Sequence, residues 1–473
     1  AIESLIKADC VTVDPFIEKN AATIRKLLYK VKVCDPAIGS GAFPMGILKV
    51  IYNVLCRIHK LLEPGKPFDE AQTKKDIIQK SIYGVDLERG AVDIARLRFW
   101  LALVVDEDYP KPLPNLDYKI MQGHSLLEKF EGIPLIFNIK EYKQRKGINR
   151  NLFGSMVEES SITTYLWQNQ EFDITELEEK YFKSFDPQEK SIIKSKIETF
   201  EKEFIKEQVE DKRQKIQLEI DKLTAKIEGI QLTNFDNTTN TSIAYKKKLE
   251  KLKKDLEKYQ SQREALINEK ERLWQSYENL IRNFHKNKPY FLWHLYFMDV
   301  FEAGGFDIVI GNPPYIKEYT NRAAFDGLRD SPYYMGKMDI WYLFACFCMD
   351  MLKDDTGIEC FIAQNNWVTS AGAAILRNKV VQEAEMLSFT DFGNYKVFQS
   401  AGIQTMIYVV KKTNQPAVSY ITNYSRLLVD NIDKTFLDYF LQSEKESTHD
   451  NFEKLQFEFV PDDYVDGYIT FAS

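Results

Sequence analysis

The chain reads as an α/β protein, a sheet interrupted by a long antiparallel helical hairpin. Three stretches carry that expectation. VKVCDPAIGSGAF, Val31 to Phe43, is an apolar strand running into a glycine loop and then a helix. FDIVIGNPPY, Phe306 to Tyr315, is a second buried strand that stops abruptly. Between them lie segments rich in Lys, Glu and Gln, whose apolar positions alternate by three and four.

Length and composition set the frame. At 473 residues the chain has room for about three domains, or for one large domain with an insertion. A hydrophobic content of 44% is ample for a core. The six cysteines form no CxxC pair, which points to free thiols in a reducing cytoplasm rather than to disulfides or zinc. The five histidines lack metal spacing. No apolar run is long enough to span a membrane, since Asp299 and Asp350 interrupt the two best candidates, and no signal peptide is seen. A net charge of −7 argues against a small basic DNA-binding module. It leaves nucleic acid open, because binding depends on local surface charge. The first residues, IESLIKA, look like the middle of a helix, as expected of a fragment or processed chain.

The first 30 residues read as helices. Ile2, Leu5 and Ile6 have helical spacing, and Asp14-Pro15 makes a cap and first turn for Phe16 to Tyr29. Val31 and Val33 begin a strand that Asp35 ends, and Gly39 and Gly41 let the backbone approach a ligand before a helix at Ile47 to His59. The loop is neither an NAD fingerprint, lacking the third glycine, nor a P-loop, lacking Gly-Lys-Ser/Thr. A plain tight turn is the bland alternative; two glycines beside a strand-end carboxylate favour a nucleotide-type site. A second strand, Ile82 to Val85, ends in Asp86, an acidic tip suited to the two hydroxyls of a ribose. The helix from Arg89 to Leu103 is expected to turn Ala91, Ile94, Ala95 and Leu101 to the sheet. A third strand, Tyr118 to Met121, runs into GHSLL and completes a βαβαβ half.

From about 140 to 288 the pattern changes. Ile193, Ile197, Phe200 and Phe204 form one apolar series, and Ile216, Ile220, Leu223, Ile227 and Ile230 continue it. After the polar TNFDNTTNTS, Tyr245, Leu249, Leu252, Leu256, Tyr259, Leu266 and Leu273 resume it. Two heptad arms of ~40 residues joined by a polar turn predict an antiparallel hairpin about 60 Å long. Its interspersed charges suit a spacer or a partner-docking arm better than direct DNA chemistry.

The second half holds the sharpest chemistry. Two prolines fix the backbone after Gly311 and remove its ladder donors, leaving a stiff tip above the sheet. An exocyclic amine on a flat ring has two N–H donors; the Asn312 side-chain oxygen and the Pro313 carbonyl can accept both, and Tyr315 can stack on the ring. A turn that merely ends a strand is the alternative. KPYFLWHLYFMDVF at 288–301 is ambiguous between helix and strand. Residues 340–352 read as an apolar helix, and Ile358 to Ile362, Leu387 to Phe392 and Gln404 to Val410 as strands. Residues 413–473 read as a linker or the start of another domain, with strand-like alternation in LQFEFV.

DPAIGSGAF, YGVDLERGAVDIARLR and GNPPY resemble motifs I, II and IV of the γ-class DNA amino-methyltransferases. They particularly resemble the adenine-specific methylase part of type IIG, Eco57I-like restriction–modification enzymes. MDIWYLFACFCMDMLKDDTGIECFIAQNNWVTS is similar to motif V and the following strand, and DFGNYKVFQSAGIQTMIYVV to the region of motif VIII. The resemblance implies a Rossmann-like S-adenosylmethionine-dependent methyltransferase sheet. It implies that Asp35, Pro36, Ala37, Gly39, Gly41, Ala42 and Phe43 wrap the methionine part of S-adenosylmethionine, with Asp86 on its ribose and Leu87 on its adenine. Asn312, Pro313 and Tyr315 would hold a flipped adenine of double-stranded DNA, and Phe398 would stack on its other side. His124 takes the motif III position, where Asp or Asn is usual, and motif X is not visible before motif I. The implied division is 1–139 for the cofactor half, 140–288 for the hairpin, 289–412 for the catalytic half and 413–473 for a linker or truncated recognition domain. The implied activity is adenine-N6 methylation, with no membrane partner. Cytosine-N4, a protein glutamine amide and a non-catalytic partner-binding subunit remain alternatives.

Overall fold

The computed structural model describes residues 6, 14–105, 115–137, 174–232, 243–284, 288–398, 402–443 and 447–471. The expected helix near Ile2 and the polar turn after Leu232 fall outside these. The chain forms two compact units: Ala1–Glu128 with Glu178–Phe185 and Trp293–Ser473, and Lys129–Leu177 with Asp186–Leu292.

In chain order the elements are α1 (Pro15–Leu28), β1 (Val33–Asp35), α2 (Ala42–Leu62), α3 (Glu70–Ser81), β2 (Ile82–Asp86), α4 (Arg89–Val104), β3 (Ile120–Gln122), β4 (Lys129–Phe130), β5 (Ile133–Pro134), α5 (Ile174–Lys183), α6 (Pro187–Leu232) and α7 (Ile243–Arg282). Then follow β6 (Ile308–Gly311), α8 (Ile340–Asp350), β7 (Ile358–Gln364), α9 (Ala374–Glu383), β8 (Ala384–Asp391), β9 (Thr405–Lys412), β10 (Tyr420–Leu427), α10 (Lys434–Gln442), β11 (Ser447–His449) and β12 (Phe452–Phe459). The Asp14 carboxylate accepts from Phe16 N at 2.8 Å, so α1 starts at the expected cap.

The first unit is built on one sheet, ordered β11-β12-β10-β8-β9-β7-β6-β1-β2-β3. From β7 to β3 every pairing is parallel. β9 runs antiparallel between β7 and β8. Helices cover the parallel strands, so β1 and most of β2 are buried, and both lack charged side chains until their terminal aspartates. Residues after Lys412 extend the same sheet, with β10 parallel to β8 and antiparallel to β12. Their signal in sequence is weak because polar Asn423 and Ser425 interrupt β10.

One local expectation is corrected and one open alternative is resolved. In α4 the buried stripe is Val92, Ala95, Phe99 and Leu103, while Ile94 and Leu101 are about half exposed. This helix is apolar on more than one face, so periodicity alone could not choose the buried one. The ambiguous 288–301 stretch contains two short helical turns, Trp293–Tyr296 and Met298–Glu302. Trp293 and Phe297 pack edge-on against Phe306, just ahead of β6.

In the second unit α6 has 46 residues and α7 has 40. Ile193, Ile197, Phe200, Phe204, Ile216, Ile220 and Ile227 are buried on α6, and Leu273 on α7. Tyr277 reaches Lys202 O, Arg213 lies over Trp274, and Lys226 lies over Tyr259. Residue numbers therefore fall on one helix as they rise on the other. Fully buried Glu201 is bound by Lys288 and by Tyr290 OH.

Candidate active site

β1, β2 and β6 are parallel, so Asp35, Asp86 and Gly311 end at one edge of the sheet. The chain departs to β2 on one side of β1 and returns in β6 on the other. Such a switch point opens a crevice above the strand ends.

The glycine loop is pinned over this edge. Ile38 N donates to Val85 O at 3.0 Å, and Gly41 N to Ile38 O at 2.8 Å. Gly39 and Gly41 have φ of +52° and +81°, where a side chain is strained. A Cβ on Gly41 would also come 3.1 Å from the Ala95 Cβ of α4. Ala42 and Phe43 open α2 directly after the loop. Asp86 accepts from Gly39 N at 2.8 Å and Glu88 N at 2.9 Å, so this carboxylate ties the loop to the end of β2.

The loop after β3 joins the same edge. Ser125 Oγ donates to Pro36 O at 2.6 Å, Gly123 N to Asp86 O at 2.9 Å, and Gln122 Nε2 to Leu87 O at 3.2 Å. Leu87 remains 56% exposed. The His124 Nδ1 is buried without a hydrogen-bond partner among the described residues, and burial lowers the ring's pKa, keeping it neutral. Free space at Gly39, where an added Cβ would meet only Ala37 O at 3.9 Å, an exposed Leu87 and a His124 nitrogen without a partner among the described residues fit a ligand with a flat heterocycle and a polar tail. Among the described residues no group of three His, Cys, Asp or Glu side chains could hold a metal.

Asp35 joins the loop to the second half of the site. It is 1% exposed, and its Oδ1 accepts from Ala37 N at 3.1 Å. Burial pushes its carboxyl up to about 8; the Ala37 hydrogen bond opposes this, and the charge of Asp86 adds to it. A Cβ on Gly311 would lie 2.8 Å from Asp35 Oδ1, so only glycine fits at the end of β6.

At the tip the Tyr315 hydroxyl contacts both Asn312 Oδ1 and Ile362 O, the latter at 2.7 Å. A phenol has one hydrogen, so it serves one of these acceptors at a time. Burial, reinforced by the Asp339 charge, raises the Tyr315 pKa, so it stays a phenol. Asp339 clamps the next residue, its Oδ1 accepting from Ile316 N at 3.0 Å while Ile340 N donates to Ile316 O at 2.9 Å. Asp339 is 3% exposed and its Oδ2 has no partner among the described residues.

The structure thus gathers Asp35, Pro36, Ala37, Gly39, Gly41, Ala42, Phe43, Asp86, Leu87 and His124 around one loop, with Asn312, Pro313 and Tyr315 beyond Gly311. Phe398 is half-buried in the connection after β8, and among the described residues no ring contact joins it to Tyr315. Sequence reasoning missed Ser125 and Asp339. Asp339 does carry a local signal, standing as a cap before the apolar helix α8.

Fold and strand-end chemistry define an α/β protein whose glycine loop and strand-end carboxylates meet at the switch point of its sheet. The model of the Eco57I restriction-modification methylase family matches residues 80–398, more than half of the chain, and the chain belongs to that family. It is 27% identical over 419 residues to a Methanocaldococcus jannaschii protein described as a type II restriction enzyme and methyltransferase. That match covers 84% of this chain and 31% of the relative, so the chain spans about a third of that protein's length. A modification subunit of a type I restriction enzyme from Vibrio vulnificus aligns over 95% of this chain and 56% of its own, with a TM-score of 0.37 and 10% identity. The DrdV–DNA complex aligns over 96% and 29%, with a TM-score of 0.39 and 12% identity.

Proposed function

We propose that the chain transfers a methyl group from S-adenosylmethionine to N6 of an adenine flipped out of double-stranded DNA, as the modification part of a restriction–modification enzyme. The observation that carries this reading is the Asn312–Tyr315 tip set beside the glycine loop by the pairing of β6 with β1, where Gly311 leaves no room for a side chain against Asp35. The cofactor supplies a methyl group made electrophilic by a sulfonium. Asp35 to Phe43 would hold its methionine end, Asp86 its ribose, and Leu87 and His124 its adenine.

At the tip, Asn312 Oδ1 and Pro313 O would accept the two N6 hydrogens and draw the nitrogen lone pair out of conjugation. As the amine donates to Asn312 Oδ1, the Tyr315 hydrogen turns to Ile362 O. The hydroxyl thus releases the acceptor without losing a bond. Extruding the base costs a few kcal/mol. Stacking on Tyr315, and on Phe398 from the other face, would offset about 1–3 kcal/mol per contact. Alignment then supplies much of the rate, on the order of 7–11 kcal/mol at best.

The α6–α7 pair is read as an antiparallel helical hairpin, a spacer or docking arm for a partner domain or subunit. Residues 1–139 and 289–412 would be the cofactor and catalytic halves and 140–288 the insertion; 413–473, expected from sequence as a linker or truncated recognition domain, instead continue the sheet of the catalytic half through β10 and β12. The location is read as cytoplasmic; among the described residues no helix is long and apolar enough to cross a membrane.

The test is methyl transfer from labelled cofactor to DNA by a form carrying its recognition domain, with nucleoside analysis of the product. N6-methyladenine is expected, and Asn312→Ala should lose at least the ~1–3 kcal/mol of an unpaired buried donor. N4-methylcytosine, or a methylated protein amide alone, would overturn the substrate. Full activity in Asn312→Ala would overturn the mechanism.

A further inference from the structure

A cavity of about 570 Å3 lies beyond the tip, over the strand ends of β7, β8 and β10. It belongs to the same edge of the sheet as the site above. Ile362, whose carbonyl meets the Tyr315 hydroxyl, is followed three residues later by Asn365 in the cavity wall. That is about 10 Å along an extended chain.

The floor is one face of three paired strands. Register places Tyr424 of β10 between Phe389 of β8 and Leu455 of β12. Two residues on, and so on the same face, Arg426 lies between Asp391 and Glu453. An apolar, largely aromatic row therefore lies beside a row of alternating charge. The Tyr424 ring stacks with Phe471 at 4.8 Å and 18°, which makes a flat wall. Asn365 Nδ2 donates to Asp391 at 2.9 Å, and Gln404, whose Nε2 donates to Asn394 Oδ1 at 2.7 Å, adds an amide oxygen to the lining.

This lining selects by chemistry. Two carboxylates against one guanidinium repel a phosphate or any other compact anion. A flat wall beside mixed donors and acceptors suits an uncharged heteroaromatic ring, and a carboxylate edge favours one with an exocyclic amine. The volume falls within the roughly 300–1,000 Å3 of small-ligand sites. We propose that this cavity receives a second, unpaired nucleobase bearing an exocyclic amine, from DNA opened at the tip. Glu453 would accept from the amine and Arg426 would donate to the ring acceptors. The proposal rests on the reading of the chain as a DNA methylase, and it adds a base-reading pocket separate from the target site.

The test uses short fluorescein-labelled oligodeoxycytidine and oligothymidine, which bring no adenine to the target site. Their binding to the full chain is followed by anisotropy. Cytosine offers an amine where thymine offers a carbonyl, so the cytidine strand should bind at least about fivefold more tightly. Glu453→Gln should reduce that preference to less than twofold. Arg426→Ala, a change at an exposed side chain that leaves folding intact, should do the same. Equal binding of the two strands by the parent chain, or an undiminished preference in both variants, overturns the pocket. Failure of the methylation reading would appear separately, as absence of N6-methyladenine from the product.

Discussion

Replacing Gly311 with alanine tests whether the two halves of the site are held at contact distance. The new methyl would lie 2.8 Å from Asp35 Oδ1, 3.4 Å from its Cγ and 3.7 Å from Phe361 Cε1. Optimal non-bonded separations are ~3.5–4.0 Å, so the first contact is short by about 0.7 Å or more. Neither side yields easily. Asp35 is buried and tied to Ala37 N. β6 is fixed by its pairing with β1 and with β7, where Gly311 faces Phe361. Overpacking of this kind costs typically ~1–3 kcal/mol. The cheapest relaxation moves the end of β6, and the tip with it, away from the glycine loop. A misplacement on the order of 1 Å between reacting groups can cost about 100-fold in rate. The expected result is a urea-unfolding free energy lowered by ~1–3 kcal/mol, cofactor affinity by calorimetry within a few-fold, and methyl transfer down tenfold or more. A variant with the parent's stability and rate would refute the argument that Asp35 and Gly311 set the spacing of the site.

Three further predictions follow from neighbouring groups. Tyr315→Phe keeps the ring but removes the hydroxyl that holds Asn312, so kcat should fall about fivefold, near 1 kcal/mol, with KM for DNA within twofold; a change in KM alone would assign Tyr315 to base capture only. Asp35 has its pKa raised to about 8 by burial, so its contribution to stability is full below the ordinary carboxylate value and is lost as pH rises toward 8. Over that window the parent should lose up to ~1.4 kcal/mol per pH unit relative to Asp35→Asn in denaturant melts, and parallel pH profiles would refute it. Asp86→Ala removes the acceptor for Gly39 N and Glu88 N and should weaken S-adenosylmethionine binding at least tenfold by calorimetry; unchanged affinity would remove Asp86 from the cofactor site.

What the sequence revealed was local. Strand, glycine loop and helix around Val33 to His59 follow from periodicity and from residues with few backbone options, and so does the Asn312-Pro313-Pro314-Tyr315 tip. The heptads at 193–230 marked buried positions because a helix repeats its face at fixed intervals. The contacts that complete the site are distant in sequence. Nothing near Gly311 announces Asp35, and nothing near Pro36 announces Ser125. Alternation in LQFEFV hinted at β12, but β10 was obscure because a strand at the polar margin of a sheet is defined by its partners as much as by its own residues. The exposed Ile94 and Leu101 show the opposite limit, a helix with more apolar positions than its sheet covers.

The order of strands also governs how the protein emerges from a ribosome. β1 has one neighbour supplied early, by β2, and the other only when β6 is made. All of β3 to α7 is synthesised in between. At ~5–20 residues per second that interval lasts roughly 10–40 s. Throughout it, the wholly apolar edge of Val33 and Cys34 has no strand beside it, the situation that invites pairing with another nascent chain. Slower elongation across residues 123–307 prolongs this exposure, whereas a shortened insertion curtails it. Soluble yield should therefore respond to changes in this segment that leave the finished sheet untouched.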